Sequence, residues 1–429
     1  MASTVKIQSF RNLAYSKQQV FLGLAYAIAL IAGVTLIIWL KPLLEANDLA
    51  CGKHVIALFV PFGSVGLVLA LLVITDSFSK FHFLYLVLLY VVLMLLFADL
   101  FFNPIWHYYF DDPGRYSSYA HFILAEGTLW GGDALGGMGA NTGHYVDQPG
   151  FRYFLALMIK ILGGEHRLMQ LSNMLIYLVA LLIFLGVARD SLSRNHFTWI
   201  AAFLILSLPY AANNILDGLS EWLAVTLFFF FVSLIIREQV IAAIVLLALI
   251  PFVRQNLLIT SVLLVAFLAI TLAKGKGRLI VIAVFIGILC LPIYHNLYYA
   301  GEFRLLTTNR GNHIDWNSFS TVMQSIFNLV IWKSVRYLGY HPHVDYLRTI
   351  VAVLFAPLGT GLLLYFLFRI RSSARYWYLA LAAVTVGPTI LFGWGYFPRF
   401  VFTTQVIVLT AIPLLNRNMK VTQKMVSQV

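Results

Sequence analysis

Two adjacent carboxylates, Asp111 and Asp112, follow a long apolar stretch that ends near Phe102. Carboxylates are costly near a lipid bilayer, so those that occur there usually take part in function. The segment Asp111-Asp112-Pro113-Gly114 is also typical of a turn that begins a helix, with Asp112 as the N-cap and Pro113 as the first helical residue. Helix capping would explain Asp112 alone, and Asp111 is therefore the better candidate for chemistry.

Isolated arginines at the ends of other apolar stretches could bind a phosphate. Arg254 lies in the polar break 251–256 between two such stretches, and Arg399 lies in 396–400, just before the last one. An arginine at membrane depth needs an anionic partner, which could be a lipid headgroup or the phosphate of a lipid-linked substrate. A guanidinium group can hold a phosphate through two parallel hydrogen bonds.

A third arginine, Arg152, lies near the start of a short apolar helix predicted for 151–162, after the turn Asp147-Gln148-Pro149-Gly150. Positive charge is unfavourable at a helix N-terminus, and a bound phosphate would account for it. The alternative is that Arg152 anchors this helix to lipid headgroups.

A short turn before a later apolar stretch carries two further carboxylates, Asp217 and Glu221. They could add negative charge to a site on that side of the protein. The alternative is helix capping, with Ser220 or Asp217 as the cap and Glu221 in a first turn where the helix dipole favours it.

Metal-ligand residue types occur at alternate positions in His341-Pro342-His343-Val344-Asp345. An extended strand could direct all three side chains to one metal ion. One such trio in a polar segment is weak evidence, and a solvated loop is the better interpretation.

The elements that must position these residues are membrane-spanning helices. Hydrophobic residues make up 61% of the 429 and charged residues 11%, and the mean hydropathy is +0.86. With this composition, a soluble domain of this size would not have enough polar residues to cover its surface. Continuous apolar runs of about 20 residues indicate spanning helices rather than a barrel. The sequence therefore predicts an all-α polytopic membrane protein with about twelve spans. The predicted spans are 20–40, 54–75, 81–102, 168–187, 197–214, 219–236, 239–253, 256–273, 279–297, 349–368, 376–394 and 400–416.

The distribution of charge predicts which side each loop occupies. With the N-terminus inside, the cytoplasmic segments hold 16 of the 29 basic residues and only three of the 17 acidic residues. Such an excess in short loops is the positive-inside pattern, so both termini are predicted to be cytoplasmic and Asp111 to lie outside. The net charge of +12 is explained in this way, without nucleic acid as a partner. Cys51 and Cys290 are predicted to be unpaired.

The whole chain, 1–429, is predicted to form a single membrane domain. Residues 1–80 form an N-terminal pair of spans. Residues 81–254 form a half that contains the outer loop 103–167, and residues 255–429 form a C-terminal half that contains the outer loop 298–348. Short helices at the membrane surface are predicted in these loops, at 113–126, 151–162 and 319–338. A glycine-rich stretch, 127–143, separates the first two of them.

These features resemble, in their order and sidedness, the GT-C class of integral-membrane glycosyltransferases, which use polyprenyl-phosphate-linked sugars. The matching features are the pair Asp111-Asp112 in the first long outer loop, Glu221 at a later outer turn, Arg254 between central spans and Pro398-Arg399-Phe400 at a late span. The likeness covers roughly 81–415. Two departures are the additional span before the first long loop and the lack of the soluble C-terminal domain of some members.

The resemblance implies a fold, a reaction and a set of roles. The fold would be GT-C-like, and 81–254 would be the catalytic half. Asp111, beside Asp112, would be the general base that accepts the proton of the acceptor hydroxyl. Arginines would hold the donor phosphate and Glu221 would orient the acceptor or the sugar. The phosphate-binding candidates are Arg254 and Arg399, then Arg152, and Gln148 is a further substrate-binding candidate.

The resemblance also implies partners and a location. The partners would be a polyprenyl-phosphate sugar donor, a glycan or lipid-linked acceptor, and membrane lipid. The protein would lie in the plasma (inner) membrane with its site on the outer, periplasmic face. Some relatives bind a divalent cation at the acidic pair, and the sequence leaves open whether Asp111 and Asp112 do so here.

Two other classes of protein compete with this interpretation. A transporter or flippase of lipid-linked glycans would be expected to carry ionisable residues near mid-span, and often a repeat. A non-catalytic scaffold would have no use for an acidic pair facing lone arginines. The acidic residues here gather at the outer ends of the predicted spans, which favours an enzyme.

Overall fold

A computed structural model describes 112–126, 149–163, 166–216, 219–271, 275–300, 342–370, 372–391 and 398–416, together with Val92, Phe303, Val322, Met323, Ile326 and Leu329. The chain divides into two compact units, Met1–Asn103 and Pro104–Val429. Only Val92 is described in the first unit, so the predicted spans 20–40, 54–75 and 81–102 lie outside the described residues apart from that position. The second unit contains the helices that follow.

The described part of the chain is all-helical and contains no strand, as the sequence predicted. The helices lie close to the predicted segments, and most of their ends fall within a few residues of the predicted ends. They are α1 (Asp112–Glu126), α2 (Pro149–Leu162), α3 (His166–Ser191), α4 (Arg194–Leu206), α5 (Leu208–Leu216), α6 (Glu221–Ile236), α7 (Val240–Val253), α8 (Leu258–Thr271), α9 (Lys276–Ala300), α10 (Pro342–Arg369), α11 (Ser372–Leu391), α12 (Pro398–Thr410) and α13 (Ile412–Asn416).

Helix α6 lies at the centre of the second unit. It is apolar on all sides and is buried over almost its whole length, as expected for a helix that other helices surround. It packs against α3, α5, α7, α12 and α13. Helices α6 and α7 are joined by residues 237–239 and pack against each other, so they run antiparallel. The start of α6 and the end of α7 therefore lie at the same end of the unit.

Two predicted spans are each broken into two helices. The predicted span 197–214 becomes α4 and α5, which meet at Ser207 immediately before Leu208-Pro209. The predicted span 400–416 lies in α12 and α13, which meet at Ala411 shortly before Pro413. Proline has no N–H to donate and its ring crowds the preceding turn, so both breaks lie next to a proline. Proline does not always end a helix here, because Pro251, Pro357 and Pro388 lie within α7, α10 and α11.

The number of predicted spans is not confirmed. Two described helical segments, Leu168–Ser191 and Lys276–His295, are long and apolar enough to cross a membrane by length and composition. Five further apolar segments are shorter, at 10–17 residues. They are Glu221–Ile236, Val240–Val253, Gln255–Thr271, Ala356–Arg369 and Phe400–Asn416.

The first residues of two helices in the predicted outer loops also differ from expectation. Helix α1 begins at Asp112 and not at Pro113, one residue earlier than predicted, so Asp112 is its first residue and not the predicted N-cap. Helix α10 begins at Pro342, so His343 and Asp345 lie on a helix and not in the predicted loop. Positions two apart on a helix do not face the same direction, which removes the geometric reason for a metal site at these two residues.

The described positions within the predicted surface helix 319–338 are Val322, Met323, Ile326 and Leu329, and all four are helical. The Leu329 carbonyl accepts hydrogen bonds from Thr360 of α10 and from Gln405 of α12. Gln405 is fully buried and also donates to Thr360 Oγ1 at 2.9 Å. These contacts fix Leu329 to α10 and α12.

Candidate functional site

An ion pair between Glu221 and Arg254 lies at the end of the unit where α6 begins and α7 ends. Arg254 Nη2 lies 2.9 Å from Glu221 Oε1, and the two side chains are 8% and 2% exposed. Arg254 Nη1 also donates to Ser220 Oγ at 3.3 Å. The sequence predicted that Arg254 is an isolated cation whose partner is a lipid or substrate phosphate. The structure shows instead that Glu221 is a partner within the chain.

The local backbone at both helix ends explains why these side chains meet. Helix α7 contains Pro251 near its end and stops at Arg254, whose backbone is extended (φ −145°, ψ 94°) before a single 3-10 turn at Gln255–Leu257. Ser220 occupies the N-cap position of α6 but makes no capping hydrogen bond through its side chain. Its hydroxyl accepts from Arg254 instead, so the predicted capping role of Ser220 is wrong in this respect.

The start of α12 completes the surroundings of Arg254. The guanidinium carbon of Arg254 lies 4.5 Å from the centre of the Phe400 ring. A cation over an aromatic face is stabilised by the ring quadrupole, more so when water is excluded, and Phe400 is 9% exposed. Phe400 belongs to the first turn of α12, so the predicted segment Pro398-Arg399-Phe400 begins beside the ion pair.

Arg152 occupies a second buried position, on α2. It is 4% exposed, and its guanidinium carbon lies 4.4 Å from the centre of the Tyr119 ring on α1. This burial disfavours the alternative in which Arg152 anchors α2 to lipid headgroups, because that role would place the guanidinium in the headgroup layer. Tyr116 of α1 meets Phe151 edge to face at 5.1 Å and extends the contact between the two helices.

Helix α2 links this second arginine to the ion pair. Its first turn approaches α7 so closely that a Cβ atom on Gly150 would lie 2.8 Å from the Cβ of Phe252. One turn later, Phe154 meets Trp222 at a ring distance of 5.7 Å. Phe252 and Trp222 are close in sequence to the two members of the ion pair, so the candidate residues of α2, α6, α7 and α12 lie in one connected region.

The remaining candidates are described only in part. Asp112 begins α1 and Arg399 lies in the first turn of α12, but their side chains are outside the described part of the structure. Asp111 and Gln148 lie outside the described residues altogether. Within the described ranges, no group of three or more His, Cys, Asp or Glu residues is placed to hold a metal ion.

Several residues near this region were not among the sequence candidates. Tyr119 and Trp222 pack against Arg152 and Phe154, and aromatic residues are too frequent in this chain for their position to reveal it. The Tyr153 hydroxyl and His295 Nε2 share a hydrogen bond of 3.1 Å, which links α2 to α9. None of these contacts could be read from the sequence, because each joins segments far apart in the chain.

Comparison with known proteins adds no relative. No protein-family model, curated protein or solved structure matches the chain. The function must therefore be inferred from the residues and their geometry.

Proposed function

We propose that the protein is an integral-membrane glycosyltransferase of the GT-C type. It transfers a sugar from a polyprenyl-phosphate donor to a glycan or lipid-linked acceptor. In this proposal the chain crosses the plasma membrane about twelve times, with both termini in the cytoplasm and the reaction on the outer, periplasmic face.

The observation that carries the proposal is the buried contact among Glu221, Arg254 and Phe400. These residues come from three separate segments that the sequence singled out, and they meet at one end of the helices. The helix that carries Arg152 packs against the same region through Gly150 and Phe154. A buried acidic and basic constellation at the end of apolar helices is costly to maintain, and such groups most often serve a substrate.

The proposed reaction requires a base and a group that stabilises the leaving phosphate. The acceptor hydroxyl oxygen attacks the anomeric carbon of the donor sugar while Asp111 accepts the hydroxyl proton. The bond between the anomeric carbon and the phosphate oxygen breaks, and its electron pair leaves with the polyprenyl phosphate. That phosphate gains one negative charge, which fixed arginine donors stabilise.

The ion pair changes the role that Arg254 can take in this reaction. Its Nη2 contacts Glu221 and its Nη1 donates to Ser220, so two of its three nitrogens are engaged. Its Nε has no hydrogen-bond partner within the described residues and is buried. Arg254 is therefore proposed to give a single fixed donor, while Arg399 supplies the two-bond grip on the phosphate.

Mass spectrometry of cell-envelope glycans and lipid-linked sugars, with and without the protein, tests the proposal. We expect a glycan to lack one sugar in cells without the protein, and the polyprenyl-phosphate form of that sugar to accumulate. A flippase would instead leave lipid-linked glycans of unchanged composition on the inner face. Unchanged glycans together with unchanged lipid-linked sugars would contradict a role in transfer.

Variants of the acidic pair test the assignment of the base. We expect Asp111→Asn to abolish transfer while the protein still accumulates in the membrane. Asp112→Asn should retain some activity, because at the first residue of α1 it would lose only a favourable interaction with the helix dipole. Transfer by the purified variants with a polyprenyl-phosphate sugar is the measurement. Normal turnover by the Asp111 variant would rule it out as the base.

Cysteine labelling tests the proposed sidedness. In a Cys51→Ser, Cys290→Ser background, cysteines at Gly127 and Gly311 should react with an impermeant thiol reagent in intact cells, because both positions belong to predicted outer loops. A cysteine at Lys276, at the start of α9, should react only after the membrane is opened. Labelling of Lys276→Cys in intact cells would contradict the topology and the location of the site.

A further inference from the structure

Two aromatic contacts show which residues of α3 lie opposite which residues of α6. Phe229 of α6 meets Tyr177 of α3 at a ring distance of 5.7 Å and Phe184 at 5.3 Å. Tyr177 and Phe184 are seven residues apart and lie on one face of α3. Phe229 is therefore level with a point midway between them, and its face of α6 is directed to α3.

Following this register towards the start of α6 brings two polar side chains opposite each other. The connections between α3 and α4 and between α5 and α6 are short, and both α4 and α5 pack against α3, as expected for a chain that reverses at each connection. With two reversals, α3 and α6 run in the same direction. Trp222 lies seven residues before Phe229, on the same face of α6. Asn173 lies four residues before Tyr177, on the same face of α3. Trp222 and Asn173 therefore lie at the same height along the two helices. At a rise of about 1.5 Å per residue, this is about 8 Å along α3 from the start of its apolar segment Leu168–Ser191.

Both side chains are buried, and each has an atom that makes no hydrogen bond. Trp222 is 2% exposed and Asn173 is 4% exposed. Trp222 Nε1 and Asn173 Oδ1 have no hydrogen-bond partner in the part of the chain that the structure describes. The indole nitrogen can only donate and the amide oxygen can only accept, yet the two do not bond to each other. Buried polar atoms are seldom left in this state, and the pair indicates a group that bridges them.

A hydroxyl group has the chemistry to bridge these two atoms. It can accept the indole N–H of Trp222 through its lone pair and donate its own proton to Asn173 Oδ1. Glu221, which contacts Arg254, directly precedes Trp222, and the buried Nε of Arg254 offers a further donor in the same region. A ligand with several hydroxyls and an anionic group fits this combination.

We propose that Trp222 and Asn173 bind a ring hydroxyl of the sugar on the lipid-phosphate donor. This assignment rests on the proposed function, since it takes the donor to be a polyprenyl-phosphate sugar. It adds a sugar-recognition site within the helices, at the residue that follows Glu221 of the ion pair. Trp222 and Asn173 set which sugar is accepted and take no part in proton transfer.

Binding of three radiolabelled lipids to the full-length protein in nanodiscs tests this site. The lipids are undecaprenyl phosphate, undecaprenyl-phosphate hexose and undecaprenyl-phosphate pentose. The variants are Trp222→Phe, which keeps an aromatic ring but removes the N–H, and Asn173→Leu, which keeps the approximate volume. Trp199→Phe is the matched control, because Trp199 is 48% exposed on α4. Thermal unfolding of each variant shows that it is folded.

We expect each site variant to bind one of the sugar-bearing lipids roughly tenfold more weakly, the usual effect of losing one hydrogen bond. Binding of undecaprenyl phosphate should be unchanged in both, and Trp199→Phe should match the wild type throughout. If the variants weaken all three lipids equally, or none, the two atoms are bridged by a structural water only and the proposed sugar site is wrong. If the wild type binds none of the three lipids, the proposed function fails with it.

Discussion

Removing either member of the Glu221–Arg254 ion pair should destabilise the protein strongly, and removing both should cost less than the two single losses together. The side chains are 2% and 8% exposed, so water cannot solvate the charge that a single substitution leaves behind. An exposed pair would contribute about 0–1 kcal/mol. A buried pair that loses one partner typically costs about 3–5 kcal/mol. We therefore expect about 3–5 kcal/mol for Glu221→Gln and for Arg254→Met.

The double variant separates a lost interaction from a stranded charge. Two independent losses would add to about 6–10 kcal/mol, whereas replacement of a whole buried pair by uncharged residues is often close to neutral. We expect the double variant to be more stable than either single variant. Arg237→Met, at the exposed end of α6, is the control and should change stability by less than about 0.5 kcal/mol.

Titration of purified protein in mixed micelles with a denaturing detergent gives the free energies of unfolding for this cycle. Single effects below about 1 kcal/mol, or a double effect equal to their sum within about 0.5 kcal/mol, would refute the interpretation of Glu221 and Arg254 as a coupled buried pair. Transfer activity gives an independent readout. A double variant that recovers stability but has no activity would assign the pair to the site rather than to folding alone.

Two further predictions concern positions away from the candidate site. Gly359→Ala should lower the unfolding temperature, since the new Cβ would lie 2.6 Å from Gln405 Oε1, at an expected cost of about 1–3 kcal/mol. Gly361→Ala is the matched control, because nothing lies within 4 Å of its Cβ position, and it should be neutral or slightly stabilising. For His196, burial and then the charge of Arg369 lower the pKa of the imidazole below its ordinary value of 6.5. As the pH falls, the unfolded chain therefore binds a proton at His196 before the folded protein does, and the free energy of unfolding should decrease below about pH 6.5. In His196→Gln, that part of the pH dependence of unfolding should disappear.

The positions of helices were predictable where the length of an apolar run is enough to define a helix. The run that becomes α6 is apolar on all sides, and its observed span, Glu221–Ile236, is close to the predicted 219–236. The breaks at Ser207 and Ala411 were missed because hydropathy is continuous across both. Pro209 and Pro413 favour a break at these places, but Pro251, Pro357 and Pro388 lie within helices, so proline alone does not locate a break.

The candidate site was predictable as a set of residues but not as a set of contacts. Glu221, Arg254 and Phe400 were all recognised from charge or motif at the ends of apolar stretches. Their pairing depends on α6 and α7 running antiparallel and on α12 packing against α6, which no local pattern contains. For the same reason the sequence could not show that the guanidinium of Arg152 lies over the ring of Tyr119.

The charge balance at this end of the helices bears directly on the proposed mechanism. Glu221 cancels the charge of Arg254 within the chain, so this pair alone cannot neutralise a leaving phosphate that gains a negative charge. Positive charge must then come from other residues, and the proposal assigns it to Arg399 in the first turn of α12. Phe400 follows Arg399 directly and rests on the Arg254 guanidinium. In this arrangement the buried pair contacts α12 through Phe400, and α12 carries Arg399, the residue proposed to bind the phosphate.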